Sequence, residues 1–107
     1  MNFLQGTLDV LILQALASGR LHGYDIVEWI KGTTKGTLDI EDGALYTALH
    51  RMEARRWLGA EWKTSPKGRR AKYYALTAEG RRQLKSGEKE WRKFSEAVTA
   101  VFNRGEA

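Results

Sequence analysis

The sequence predicts a mainly α-helical fold with one small β-hairpin, a winged helix-turn-helix extended by a C-terminal dimerisation helix. Three observations carry this. Apolar residues recur at helical spacing in three segments before residue 56. The turn sequence Ser65-Pro66-Lys67-Gly68 separates two extended runs. After Thr77 an apolar seam at spacings of seven, three, four and three runs to the end of the chain. Residues 1–76 read as the winged helix-turn-helix and 77–107 as the pairing helix, together one compact unit.

The first helix is "GTLDVLILQALASG", with Leu8, Leu11, Ile12, Ala15 and Leu16 on one stripe, Thr7 as its expected N-cap and Gly19 as its stop. Val10 and Leu13 are apolar too, so this helix is expected to be buried on more than one side. In "LHGYDIVEWIKGTTKG" a second stripe of Tyr24, Ile26, Val27 and Ile30 predicts a helix that frays at Gly32. "TLDI" alternates and reads as a short strand. Asp42 is expected to cap a third helix whose core stripe is Leu45, Ala48, Leu49 and Met52, with Gly59 ending it. "AEWKT" and "RAKYYAL" then flank "SPKG", where proline second and glycine fourth suit a type I turn. Thr77 caps the last helix, with Glu79 in its first turn.

Composition bounds the function. The 107 residues are 42% hydrophobic and 29% charged, ordinary for one folded domain. With no cysteine, disulfides and thiolate metal sites are excluded, and His22 and His50 match no zinc spacing. The longest apolar stretch, around "VLILQALA", is too short for a membrane span, and the flank before it, which carries no positive charge, does not resemble a signal peptide. A cytoplasmic protein without membrane attachment, metal or cofactor is expected. The net charge of +5 equals the charge of Lys63, Lys67, Arg69, Arg70 and Lys72, a strip of ten residues with no acid. Such a strip attracts polyanions.

Helix, helix, short strand, helix, hairpin, long helix is the order of a winged helix-turn-helix, which points to double-stranded DNA. The major groove admits one helix, and side chains near its N-terminus read base edges. The third helix offers Gly43, Ala44, Tyr46, Thr47, His50 and Arg51 for that role, and His22 and Tyr24 stand at the start of the second. His22 can bind phosphate or cap its helix, and the sequence leaves both open. In the hairpin, Lys67, Arg69, Arg70 and Lys72 suit phosphate backbone or a minor groove, contacts that give affinity and orientation rather than sequence information.

A basic loop alone is usually only a solvated surface; its coincidence with the helix-turn-helix order favours DNA. At least one of Tyr73 and Tyr74 is expected in the core, and Trp62 as well. Asp39, Glu41 and Asp42 cluster as a nuclease's Mg²⁺ ligands would, but no catalytic partner, serine triad or glycine-rich phosphate loop accompanies them. The chain reads as a non-enzyme.

The segments "LQGTLDVLILQAL", "LHGYDI", "GALYTALHRMEARRWLGAEW" and "GRRAKYYALTAEGRRQL", in this order over about residues 4 to 84, resemble the PadR family of transcriptional regulators, in its compact class with a single C-terminal helix. The resemblance implies a homodimeric repressor, often responsive to a ligand, on a palindromic operator. Its matching positions are Gly43, Leu45, Tyr46, Leu49 and Arg51 in the recognition helix and Gly68, Arg70, Lys72, Tyr73 and Tyr74 in the wing. Thr47 departs from the proline that commonly follows the Leu-Tyr pair.

The seam of Leu84, Trp91, Phe94, Val98 and Val101, with Phe102 beyond it, can simply pack on its own domain. A helix reaching about Asn103 outruns so small a core, however, and soluble monomers avoid large exposed apolar patches. Pairing across a two-fold axis, helped by Phe3 and Leu4, would cover it. Trp91 and Phe94 are also the candidate contacts for a small hydrophobic or aromatic effector. The same basic wing could instead hold an acidic protein partner, a reading that predicts no preference for one DNA sequence.

Overall fold

A computed structural model describes the backbone of residues 3–106 and the side chains of residues 6–104. The elements run α1 (Phe3–Ala15), β1 (Leu21–His22), α2 (Gly23–Thr33), α3 (Asp42–Ala54), β2 (Leu58–Thr64), β3 (Arg70–Leu76) and α4 (Ala78–Phe102), with a 3-10 turn over Asn103–Glu106. The three strands form an antiparallel sheet in the order β1-β3-β2. Helices with a small antiparallel sheet in this order make the winged helix-turn-helix that the sequence predicts.

The three stripes of the first three helices meet in one core. Ile12 and Leu13 of α1 with Leu16 just past its end, Ile26 and Ile30 of α2, and Leu45, Leu49 and Met52 of α3 are all almost wholly removed from water. Leu58 and Tyr74 close the core from the sheet. Tyr73 lies on the opposite strand face and meets His22 edge-on at 5.3 Å. Burial of each large apolar side chain contributes about 1.5–3 kcal/mol, so this cluster holds the three helices at fixed angles.

Several boundaries differ from the sequence reading. Thr7 lies inside α1, because the helix begins four residues earlier. The strand expected over residues 37–40 is absent: the sheet is made of β1, β3 and β2, and residues 38–40 pair with none of them. Leu21–His22 is the third strand instead, pairing Leu21 with Tyr74 and His22 with Tyr73. Asp42 is the first helical residue of α3, after Glu41 at the cap position, which makes no side-chain capping bond.

Helix α2 runs through Gly32 to Thr33, and α3 stops at Ala54 rather than Gly59. Both end in the same way. After α3, the Arg56 N–H donates to the Glu53 carbonyl (2.9 Å) and Trp57 N–H to Met52 (2.9 Å), with Arg56 at φ 62°. After α2, Lys35 at φ 53° and Gly36 repeat the pattern on Gly32 and Lys31. This is the Schellman arrangement, with a long cationic side chain in the left-handed position that usually takes glycine.

Helix α4 is 25 residues long, about 37 Å at 1.5 Å per residue, in a molecule 59 Å in its longest extent. Its start is fixed by Thr77, whose hydroxyl accepts from the Gly80 N–H (3.0 Å) and lies against the Arg56 and Trp57 carbonyls at 2.7 and 3.0 Å. Its first half rests on α1. Gly87, which interrupts the apolar seam in the sequence, is a point of close approach: a Cβ there would stand 2.5 Å from Val10 Cγ2. Leu84 packs against the domain's own core, so it is not part of a free seam. Farther out Phe94 and Val98 are half-buried, while Val101 and Phe102 are exposed, Phe102 by 81%. Phe3 and Leu4, the other expected pairing residues, lie outside the described side chains. Among the described residues no helix is long and apolar enough to cross a membrane.

Candidate nucleic-acid interface

The core stripe of α3 decides what its other face presents. With Leu45, Ala48, Leu49 and Met52 turned inward, Gly43, Ala44, Tyr46, Thr47 and His50 are left exposed along its N-terminal two turns. A Cβ at Gly43 would meet nothing within 4 Å, so the end of α3 is bare backbone and small side chains, open to close approach. Tyr46 is 52% exposed, and its ring lies over Gly23 of α2, where a Cβ would come within 3.0 Å of the Tyr46 hydroxyl. Glycine at 23 thus lets the two helices of the motif share Tyr46 as a spacer.

The second helix begins at the same place. His22 caps α2, its Nδ1 accepting from the Asp25 N–H at 3.3 Å, and its Nε2 lies 3.1 Å from the Asp25 carboxylate. The capping alternative is thus realised, with the ring held between Tyr24 and Tyr73. Tyr24, expected on the inner stripe of α2, is instead exposed beside it, and Gly23, Ile26, Val27 and Ile30 make the buried side.

The wing is built by its turn. Gly68 N–H donates to the Ser65 carbonyl (2.9 Å), Ser65 N–H to the Arg69 carbonyl (2.6 Å), and Gly68 at φ 81° supplies the left-handed step that closes the hairpin. Proline second in the turn and glycine fourth are what that geometry requires. Lys67, Arg69 and Arg70 stand exposed around this tip, with no carboxylate paired to them among the described residues. Lys63 does pair, with Glu61 at 3.2 Å.

Two expected DNA contacts are placed differently. Arg51 turns inward, and its guanidinium is bound to the Asp9 carboxylate of α1. Asp9 is only 7% exposed, and its burial raises the carboxyl above its ordinary range against the pull of Arg51. The Arg51 Nε is buried without a hydrogen-bond partner among the described residues. Lys72 bonds to Glu53 of α3 at 2.8 Å and lies 5.5 Å from the Tyr74 ring. The bond to Glu53 raises its pKa by holding the ammonium form. Both cations therefore tie α3 to the rest of the fold, Arg51 to α1 and Lys72 to the hairpin. Nothing in a linear reading pairs them, since Asp9 is 42 residues from Arg51 and Glu53 is 19 from Lys72.

Trp62 corrects the expectation of a core residue: it is 59% exposed. It stands opposite Lys72 in the β2–β3 ladder, too far toward the tip to reach the core that Leu58 and Tyr74 close. That register could have been counted back from the Pro-Gly turn.

These pieces enclose one open groove of about 1060 Å³ between the wing and the helix starts, with Tyr24, Tyr46, Trp62, Lys67, Arg69 and Arg70 among its walls. A second, smaller cavity of about 150 Å³ lies between α1 and α4, against Asp9, Val10, Trp57, Trp91 and Phe94. Among the described residues no group of His, Cys, Asp or Glu is arranged to hold a metal ion.

A model of the transcriptional regulator PadR-like family matches residues 12–86. A transcriptional regulator from Clostridium thermocellum has a similar structure, with a TM-score of 0.83 at 27% identity, covering 94% of this chain and 97% of that one. A PadR family transcription regulator from Clostridium difficile is similar at a TM-score of 0.74 and 29% identity, covering 89% and 97% of the two chains. An uncharacterised protein of Lysinibacillus sphaericus is 28% identical over 97 residues, 91% of this chain and 89% of that one.

Proposed function

The chain belongs to the PadR-like family of transcriptional regulators, and from that premise we propose a homodimeric repressor that binds a palindromic operator in double-stranded DNA. Such regulators act by occupying DNA rather than by catalysis. The observation that carries the proposal is the shared groove. Tyr46 from the exposed face of α3 lines the same groove as Lys67, Arg69 and Arg70, cations with no carboxylate paired to them among the described residues.

In this reading α3 enters the major groove. Gly43 and Ala44 admit close approach, Tyr46 and Thr47 donate to phosphates, the Thr47 methyl meets a thymine methyl, and His50 donates to phosphate or purine edges. Lys67, Arg69 and Arg70 bind the neighbouring backbone or minor groove and supply the salt-dependent part of the affinity. Arg51 and Lys72 act from behind by fixing the angle of α3. In this reading residues 1–76 serve DNA binding and residues 77–107, through α4, serve pairing.

The dimer is supported by the distal part of α4, whose Val101 and Phe102 project into solvent beyond the core. A second copy would cover them and set two recognition helices about 34 Å apart on one face of DNA. The cavity against Trp91 and Phe94 supports a small hydrophobic or aromatic effector that releases the operator.

A footprint on DNA from immediately upstream of the protein's own gene, at low and at moderate salt, tests the reading. A protected, two-fold symmetric site that survives moderate salt is expected. Protection without symmetry would remove the dimer. Diffuse protection that vanishes with salt would remove sequence-specific binding and favour an acidic protein partner for the wing.

A further inference from the structure

Trp62 closes the segment that begins at Gly43, yet it has no role in the core and is the most exposed of the four tryptophans. Strand alternation places Leu58, Ala60, Trp62 and Thr64 of β2 on one sheet face, opposite Leu76, Tyr74, Lys72 and Arg70 of β3. That face is core at its base, where Leu58 and Tyr74 are buried, and groove wall at its tip. At the tip, the Arg70 guanidinium carbon lies 5.9 Å from the centre of the Trp62 ring. Lys72, the residue directly opposite Trp62, is already engaged by Glu53. Among the described residues, Arg70 is therefore the cation of this face that has an aromatic support and no carboxylate.

We propose that Trp62 and Arg70 form a single minor-groove reading unit, in which the indole holds the guanidinium flat and makes the wing prefer A·T-rich DNA beside the site that α3 occupies. The inference rests on the DNA-binding reading above. Phosphate binding alone would need only the charges already present at Lys67 and Arg69, and an indole adds nothing to a row of hydrated phosphates. A narrow slot is different. The minor groove is about 6 Å wide and narrower in A-tracts, where its more negative potential attracts arginine. A guanidinium stacked on an indole is planar, weakly hydrated and already ordered, so it loses less on entering that slot. The apolar edge of the indole can then pack on the deoxyribose walls, burying in the complex the surface it exposes in the free protein.

Selection from a pool of random duplexes tests this, with the intact wild-type chain, Trp62→Ala, Trp62→Phe and Arg70→Lys. The wild type is expected to enrich a core site with A·T-rich flanks. Trp62→Ala should enrich the same core with the flank preference lost. It should bind the wild-type-selected duplex roughly five- to thirtyfold more weakly, the loss of a desolvated cation–π contact. Trp62→Phe, which keeps a ring, should hold part of the flank preference, and Arg70→Lys should lose most of it. Flank A·T pairs replaced by inosine·cytosine, which lacks the guanine N2 amino group in the minor groove, should be tolerated by the wild type, whereas G·C should not.

Equal flank preference and affinity in Trp62→Ala and the wild type would overturn the inference. So would inosine·cytosine flanks as damaging as G·C, because that would place the contact in the major groove. Both results leave the DNA-binding reading standing. No enrichment by the wild type would remove that reading, and this inference with it. Trp62 is exposed, so its variants should keep wild-type far-UV circular dichroism.

Discussion

Replacing Arg51 with methionine separates a structural cation from a DNA-binding one. The structure places Arg51 on the carboxylate of Asp9, at 23% side-chain exposure against 11% for Asp9. Removing one partner of such a pair strands the other, and the cost of a stranded buried charge is about 3 kcal/mol or more. For a domain of this size that is a fall in Tm of about 12 °C or more. A surface arginine reaching toward phosphate would change stability by only about 0.5 kcal/mol.

The pH dependence has a definite sign. Burial raises the Asp9 carboxyl above its ordinary 3.8, and Arg51 is the main force opposing that rise. Without Arg51 the carboxyl climbs further. An acid whose pKa is raised in the fold penalises the fold fully above the folded value, and the penalty fades as pH falls toward the unfolded value. The gap between Arg51→Met and the wild type is therefore widest on the alkaline side of the folded Asp9 carboxyl and narrows as the pH falls into the acid range. The double variant Asp9→Leu with Arg51→Met removes both charges and should recover most of the loss. Thermal melts at fixed protein concentration read all of this, and a DNA titration against salt reads the rest, since the salt slope of Arg51→Met should equal that of the wild type. An unchanged Tm with a salt slope smaller by about one would refute the argument and put Arg51 on a phosphate.

Other outcomes follow from the same geometry. Gly87→Ala should lower stability by about 1 kcal/mol despite the better helix propensity of alanine, because the new Cβ meets the stiff Val10 side chain at 2.5 Å; a melt of Gly87→Ala with Val10→Ala should show recovery. Thr77→Ala should cost about 1 kcal/mol in urea unfolding, since it removes the cap that accepts from Gly80 N–H at 3.0 Å. Lys67→Ala and Arg69→Ala should each reduce the salt slope of DNA binding by about 0.9 while leaving the selected core sequence unchanged. Phe102→Glu should shift the mass measured by light scattering from dimer to monomer, because that side chain is 81% exposed on the segment of α4 that extends past the core.

Where the physics is local, residue order is enough. Leu45, Ala48, Leu49 and Met52 can share a helix face only one way, so the exposed face of α3 is legible in the spacing of its apolar residues. Ser65-Pro66-Lys67-Gly68 encodes its own turn, so the wing and the cations at its tip are legible as well. Thr77 and Glu79 announce the last helix for the same reason. Together these suffice for the winged helix-turn-helix and for the polyanion that it suits.

What the tertiary structure alone decided concerns partners distant in the chain. Leu21–His22 is too short to carry any pattern, and it is a strand only because β3 offers it an edge. Residues 37–40 have the alternation of a strand but pair with no strand of the sheet. Arg51 and Lys72 look like Arg69 in sequence, but Asp9 and Glu53 are brought to them by packing, and a charge so engaged belongs to the scaffold. Gly87 looks like a flaw in an apolar seam until Val10 fills its place. Charge and periodicity are properties of residue types and their order. Whether a given cation faces solvent or a carboxylate depends on which distant segment the burial of the core brings alongside it.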